Sequence, residues 1–272
     1  MARKTKAQLA GPATYEKLVA TYPDAHCELD HATPFQLLVA TVLSAQSTDK
    51  GVNLVTPDLF AKYPDARSLA KATPDVVEKL LGRLGMFRQK TKSILGLAKL
   101  LVERHHGEVP RTLAELIELP GVGRKTANVV LGVAFGAPEG VVVDTHVQRL
   151  AQRLGWSKES TPEKIEQDLM RTFDRPHWDR LSHTLIFHGR RCCFAQKPAC
   201  STCPIAPLCP SAGKAETIGR KPPRNRPAAR PTSANREPPT AKRTPTSAKR
   251  EPPNAKRTPT SAKRESAQKN KA

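Results

Sequence analysis

The chain has 272 residues and no run approaching about 18 uninterrupted apolar residues, the length a membrane-spanning helix needs. Its first ten residues, MARKTKAQLA, lack the apolar core of a secretory leader. Both absences predict a soluble chain that stays inside the cell. Acidic residues are scarce as well: 25 Asp and Glu face 45 Lys and Arg, a formal charge of +20. Such an excess points to a polyanionic partner, because Lys and Arg that neutralise phosphates release condensed counterions. Nucleic acid is the first candidate and an anionic membrane surface the second. Strand patterning is almost missing too. Val141 to Val143 is the one convincing run and is too short to call a sheet.

The charge is unevenly spread. From Lys214 to Ala272 there are 17 basic and 4 acidic residues, so this stretch carries +13 and residues 1–213 carry +7. The stretch is built of Pro, Ala, Lys, Arg, Thr and Ser, with almost nothing able to form a core. REPPTAKRTPTSAK at 236–249 returns as REPPNAKRTPTSAK at 250–263. Composition of this kind predicts a disordered tail, either a tethering arm on DNA or a solubilising extension.

The first 213 residues read as helices joined by short loops. Thr33-Pro34, Thr73-Pro74 and Thr161-Pro162 each pair an N-cap residue with proline at the first helical position, where its missing N–H costs nothing. Thr112 followed by Glu115 fits a capping box. Phe35, Leu37, Leu38, Thr41 and Val42 form one apolar stripe at helical spacing, and Ala127, Val130, Leu131, Ala134 and Phe135 form another. These are packing faces, and the fold class they predict is all-α.

Residues 119–136, LPGVGRKTANVVLGVAFG, end one helix at Leu119-Pro120 and begin another near Arg124, with Gly121 and Gly123 in the turn. Glycine lets the backbone approach a ligand, and the following helix presents its positive end, so the segment suits a phosphate. A Walker loop needs wider glycine spacing after a strand, which is not found here. Four of the six cysteines crowd together as Cys193-x6-Cys200-x2-Cys203-x5-Cys209. Four thiolates so close suit a metal in a reducing compartment better than disulfides, and the spacing accommodates either tetrahedral zinc or an iron–sulfur cubane.

LPGVGRKTANVV resembles the hairpin of the helix-hairpin-helix DNA glycosylases, and specifically that of the endonuclease III family. The resemblance runs over roughly residues 12–211 and takes in the Asp-Thr-His of VVVDTHVQRL and the four-cysteine loop in the same order. It implies that Lys125 is a nucleophile that attacks the sugar C1′, expels a damaged base and carries the resulting Schiff base into β-elimination. Only an amine forms such an imine, and partial burial beside the positive helix end favours its neutral form. Asp144 is implied to stabilise the cationic sugar and assist the proton transfers. A base inside a duplex must be extruded before it is attacked. The resemblance gives Gln46, in LSAQSTD, the vacated space, and gives Met86, in LGRLGMF, the wedge position where relatives often carry Leu. Gly121, Gly123, Arg124, His146, Arg190 and Arg191 are the further implied DNA contacts, with His146 facing the same cleft and Lys197 beside the phosphates. The 6-2-5 spacing in this family holds a [4Fe–4S] cluster. Cys192 would change the first gap from six to seven, so Cys193 is taken as the first ligand. Cys27, far from the loop, reads as a buried small hydrophobe.

The implied architecture is two helical lobes. A six-helix barrel over 27–138 bears the hairpin, residues 1–26 and 139–213 form a cluster lobe, and 214–272 is the tail. Duplex DNA with damaged bases or abasic sites would cross the groove between the lobes. The implied protein is a cytoplasmic, nucleoid-associated monomer that excises oxidised pyrimidines and cuts the strand. Pro57 falls where the family has a helix and fits there only in a first turn. A non-catalytic DNA-binding protein would need neither Lys125 nor Asp144, and an iron–sulfur redox protein leaves the hairpin unexplained. An adenine glycosylase acting on mispairs is disfavoured by Lys125.

Overall fold

The computed structural model describes residues 4–219, among which there are thirteen α-helices and no strand. In order these are α1 (Lys6–Leu9), α2 (Gly11–Thr21), α3 (Pro34–Leu43), α4 (Asp49–Asn53), α5 (Thr56–Lys62), α6 (Ala66–Ala70) and α7 (Pro74–Leu81). The long α8 (Phe87–His105) follows, then α9 (Leu113–Ile117), α10 (Arg124–Phe135), α11 (Thr145–Arg153), α12 (Pro162–Thr172) and α13 (Trp178–Arg191). No helix among the described residues is long and apolar enough to cross a membrane.

The proline-marked starts of α3, α7 and α12 fall where the sequence puts them. Only Thr33 also closes the side-chain bond, accepting from the Gln36 N–H at 3.2 Å, whereas Thr73 and Thr161 make no such bond. At α9 the Thr112 hydroxyl accepts from Glu115 N–H at 3.3 Å and donates to the Glu115 carboxylate at 2.5 Å. The box is thus half made, because that carboxylate takes the hydroxyl rather than the Thr112 N–H. Pro57 occupies the first turn of α5, where no intrahelical donor is lost.

Two separate apolar cores organise the described chain. The first runs from Leu29 to Leu131 and joins the stripe of α3 to that of α10 and to Ile94, Leu97 and Leu101 of α8. The second takes Tyr15, Leu18 and Tyr22 from the N-terminal segment and joins them to Trp156, Leu169, Leu181 and Ile205. Each fully buried leucine in these cores contributes about 2 kcal/mol of transfer free energy. Val141 to Val143 is extended and buried between α10 and α11, with no strand to pair with among the described residues.

Two expectations need correction. Cys27 is only partly buried and packs on the edge of the first core. Residues 214–219 are not part of the tail. Ala215 is buried in a turn spanning Ala215–Thr217, and the Ile218 carbonyl accepts from Arg153. A short apolar side chain amid polar neighbours gave no sequence signal of this. The rest of the tail lies outside the described residues.

Candidate active site and cluster cradle

A cleft of roughly 400 Å³ is lined by Gln46, Asp49, Lys125, Asp144, His183 and Arg190, among others. Lys125 sits in the first turn of α10 and points from the positive end of that helix. Its side chain is exposed rather than partly buried, because the hairpin lies at the mouth of the cleft and no element covers it. Asp144 is the N-cap of α11. Its Oδ1 accepts from the N–H groups of His146 and Val147 at 2.8 and 2.7 Å. One oxygen thus fixes the carboxylate and the other is left to the cleft.

Asp49, which the sequence reading passed over, opens α4 and lines the same cleft. Burial pushes its carboxyl above the usual carboxylate range, Asp144 adds to the rise, and Lys125 and His183 oppose it. The signal available was only a second Asp beside an N-cap Thr, which is common. His146 does not face the cleft. Its ring packs against Gly189, and Nδ1 accepts from Arg149 at 3.1 Å. Burial lowers its pKa from the ordinary histidine value. One helical residue past Thr145, the backbone turns this side chain inward.

Gln46 and Met86 both adopt the left-handed conformation, with φ of 55° and 56°. Few non-glycine residues do so, and the cost, about 1 kcal/mol or more each, marks positions that the surroundings hold against preference. Met86 is also 49% exposed, a large apolar side chain offered to solvent from the N-cap of α8.

The two hairpin glycines differ. Gly121 has φ of 81°, and a Cβ there would meet Ser93 and Val42 at 3.0 and 3.1 Å, so packing alone requires glycine. Gly123, the N-cap of α10, has ordinary φ and open space around a built Cβ. Arg124 stays at the surface but is paired within the protein. Its Nε and Nη2 donate to the two carboxylate oxygens of Glu166 on α12, each at 3.0 Å, which holds the guanidinium above its ordinary pKa. Asn128 also bonds Glu166, and a side chain at Gly140 would collide with it. Arg124 thereby ties the first turn of α10 to the second core. Arg190 lies between Glu28 and Asp49 at the rim of the cleft, and Arg191 pairs with Asp24 while stacking 4.4 Å over Phe187.

The four spaced cysteines surround a small apolar-walled cavity together with His188 and Ile205. Arg153, 1% exposed, grips the loop. It donates Nε to Ile218 O at 2.9 Å, Nη1 to Phe194 O at 2.6 Å and to Cys193 Sγ at 3.2 Å, and Nη2 to Ala195 O at 3.1 Å. Arg149 adds Nη2 bonds to Gly189 O and Cys193 O at 3.0 and 3.1 Å. Neither arginine was singled out from the sequence, since the carbonyls they hold lie 40 or more residues away.

The donor set discriminates between metals. Tetrahedral zinc would draw four sulfurs to about 3.8 Å from one another. Among the described residues the ligand group whose donor atoms all lie within 4.8 Å is His188, Cys192 and Cys203, so the four spaced thiols do not close around a point. Wide spacing, soft donors and apolar walls fit a cubane. Burial and the neighbouring Cys203 push the Cys192 thiol up to about 12, and burial raises Cys193 and Cys209 as well.

Comparison with known proteins agrees with this geometry. The HhH-GPD superfamily of base excision DNA repair proteins matches residues 39–175. The iron–sulfur binding domain of endonuclease III matches residues 193–209, beginning at Cys193 rather than Cys192. Endonuclease III of Synechocystis sp. is 54% identical over 191 residues, covering 70% of this chain and 87% of that protein. Endonuclease III of Bacillus subtilis is 45% identical over 207 residues, 75% of this chain and 93% of that one. Among solved structures, a trapped endonuclease III–DNA covalent intermediate superposes with a TM-score of 0.71 at 41% identity, over 78% of this chain and 98% of that one. The chain belongs to the endonuclease III family of helix-hairpin-helix base excision repair proteins. It is a DNA glycosylase and AP lyase, and it carries a [4Fe–4S] cluster.

Proposed function

We propose that the enzyme removes oxidised pyrimidines from duplex DNA, with Lys125 as nucleophile and Asp144 as its electrostatic partner. The observation that carries this reading is the meeting of the two in one cleft, one on the first turn of α10 and the other capping α11. The Lys125 amine bonds to C1′ as the glycosidic bond breaks, and the free oxygen of Asp144 faces the positive charge that develops on the sugar. The first ammonium proton leaves with the departing base, and the second passes to O4′ as the sugar ring opens to give the imine. The imine acidifies C2′, whose proton leaves as the C3′–O bond breaks, and hydrolysis returns the amine. Asp49 places a further carboxylate beside the other two groups, paired with Arg190 at 3.1 Å.

Gln46 fills the space left by the extruded nucleotide and Met86 wedges the base step, and their strained, outward-facing backbones support those roles. Gly123 supports phosphate binding because nothing inside the protein requires a glycine there, so an approaching backbone does. Gly121, Arg190 and Arg191 are further DNA contacts in this reading, Arg124 is a surface cation tethered to Glu166, and His146 acts behind the cleft. Cys193, Cys200, Cys203 and Cys209 would hold the cluster, which serves as a structural unit that shapes the loop. The cleft is complete within one chain, which favours action as a monomer, at the nucleoid where duplex DNA lies. The barrel of 27–138 and the cluster lobe follow the two cores.

Borohydride trapping on duplexes containing thymine glycol or an abasic site tests the proposal. Wild type is expected to yield a protein–DNA adduct on both, and Lys125→Ala on neither while still binding DNA. An adduct only at the abasic site would refute the substrate and keep the lyase, and an adduct with the variant would overturn the nucleophile.

A further inference from the structure

Lys90 is a lysine that the chemistry above does not use, yet it is 4% exposed. Lysine is almost never buried to that degree without an anion beside it, because the ammonium loses its hydration. No carboxylate pairs with Lys90 among the described residues. Its hydrogen-bond partner is the Ser47 hydroxyl, which accepts from Nζ at 2.5 Å across 43 residues of chain. Burial lowers its pKa from the ordinary lysine value.

The place of this contact gives it meaning. Ser47 directly follows Gln46, and its N–H donates to Ser44 O at 3.0 Å, closing the tight turn on which Gln46 rides. Lys90 lies in the first turn of α8, and its N–H donates to the carbonyl of Met86, again at 3.0 Å. One residue therefore touches both left-handed tips, through its backbone at Met86 and through its ammonium at the Gln46 turn. Two loops that diverge in sequence are joined behind the surface by a single side chain.

We infer that Lys90 is a positioning residue that fixes the spacing of Gln46 and Met86, so that plug and wedge enter the duplex as one unit. The inference rests on the roles given to those two side chains above. The Lys90 contact acts only when an opposite strand and a stacked neighbour are present, since an unpaired strand has no gap to fill and no step to wedge.

The test uses the full chain with its cluster and an abasic site placed either in a duplex or in an unpaired strand, read as the single-turnover rate of strand cleavage. Lys90→Met and Ser47→Ala each remove the bond from one side. Each is expected to slow the duplex reaction about tenfold while the unpaired strand changes less than about twofold. The double variant should be no slower than either single one, as a shared interaction requires. Ser47→Thr, which keeps the hydroxyl, should stay near wild type on both substrates. Equal losses on the two substrates, an unchanged duplex rate, or additive losses would overturn the inference. Loss of cleavage by wild type on both substrates would instead remove the Lys125 reading on which it stands.

Discussion

The cleft and the cluster cradle solve opposite problems with the same residue types. Around the cleft, charged groups stay near solvent. Lys125 is exposed, Arg190 is shared between two carboxylates at the rim, and Gln46 and Met86 sit on strained backbone turned outward. In the cradle, Arg149 and Arg153 are buried, and apart from the His146 ring and one cysteine sulfur their guanidinium groups are spent on backbone carbonyls. The cleft must meet a moving polyanion, so its groups are left with bonding capacity. The cradle must hold irregular chain in one shape, so most of its donors are engaged inside the protein, Arg149 Nε being the exception. An arginine's function is legible only from what surrounds it.

Three changes would break or sharpen this contrast. The largest effect is expected at Arg153→Met, which removes the guanidinium bonds to the carbonyls of Phe194, Ala195 and Ile218. Each lost bond costs about 0.5–1.5 kcal/mol, so the variant should lose several degrees of melting temperature and its visible iron–sulfur absorbance. A variant with full absorbance and an unchanged melting curve would dissolve the distinction. An intermediate effect is expected from paired glycine changes. Gly121→Ala should destabilise folding by about 1–2 kcal/mol in denaturant titration, because it strains φ and crowds Val42. Gly123→Ala should leave stability nearly unchanged and weaken DNA binding instead, and the reverse pattern would refute the phosphate role. The smallest effect is expected from truncation after Gly219, which keeps the turn held by Arg153. Removing that basic stretch should weaken DNA binding mainly at low salt and flatten its salt dependence, with cleavage of a saturating substrate unchanged. An unchanged slope would make the tail a bystander.

Most of the helical plan was legible because it rests on local signals. Threonine–proline pairs mark three helix starts, and the stripes of α3 and α10 fall on the core. That Lys125, Asp144 and Gln46 meet in one cleft, and the spaced cysteines around one cavity, was legible because short motifs carry them. What stayed hidden depends on distant partners. Arg124 reads as a surface cation until Glu166, 42 residues on, claims it. His146 reads as a cleft residue until Gly189 and Arg149 close around it. Lys90 has no sequence mark at all, since its burial is decided by a loop 43 residues earlier. The left-handed turns at Gln46 and Met86 were equally silent, because neither residue type announces positive φ.

The grip of Arg153 can be read as polymer physics. One guanidinium bonds the chain at Phe194 and Ala195, where the cysteine loop begins, and again at Ile218, beyond its end. Everything between is a ring closed without a covalent bond. Closing a segment of this order costs about 3 kcal/mol of chain entropy, a toll a bridging disulfide would ordinarily meet. Arginine meets it reversibly and consumes no thiol in a covalent bond. The four sulfurs are thus held at high effective concentration within one closed ring rather than along an open chain.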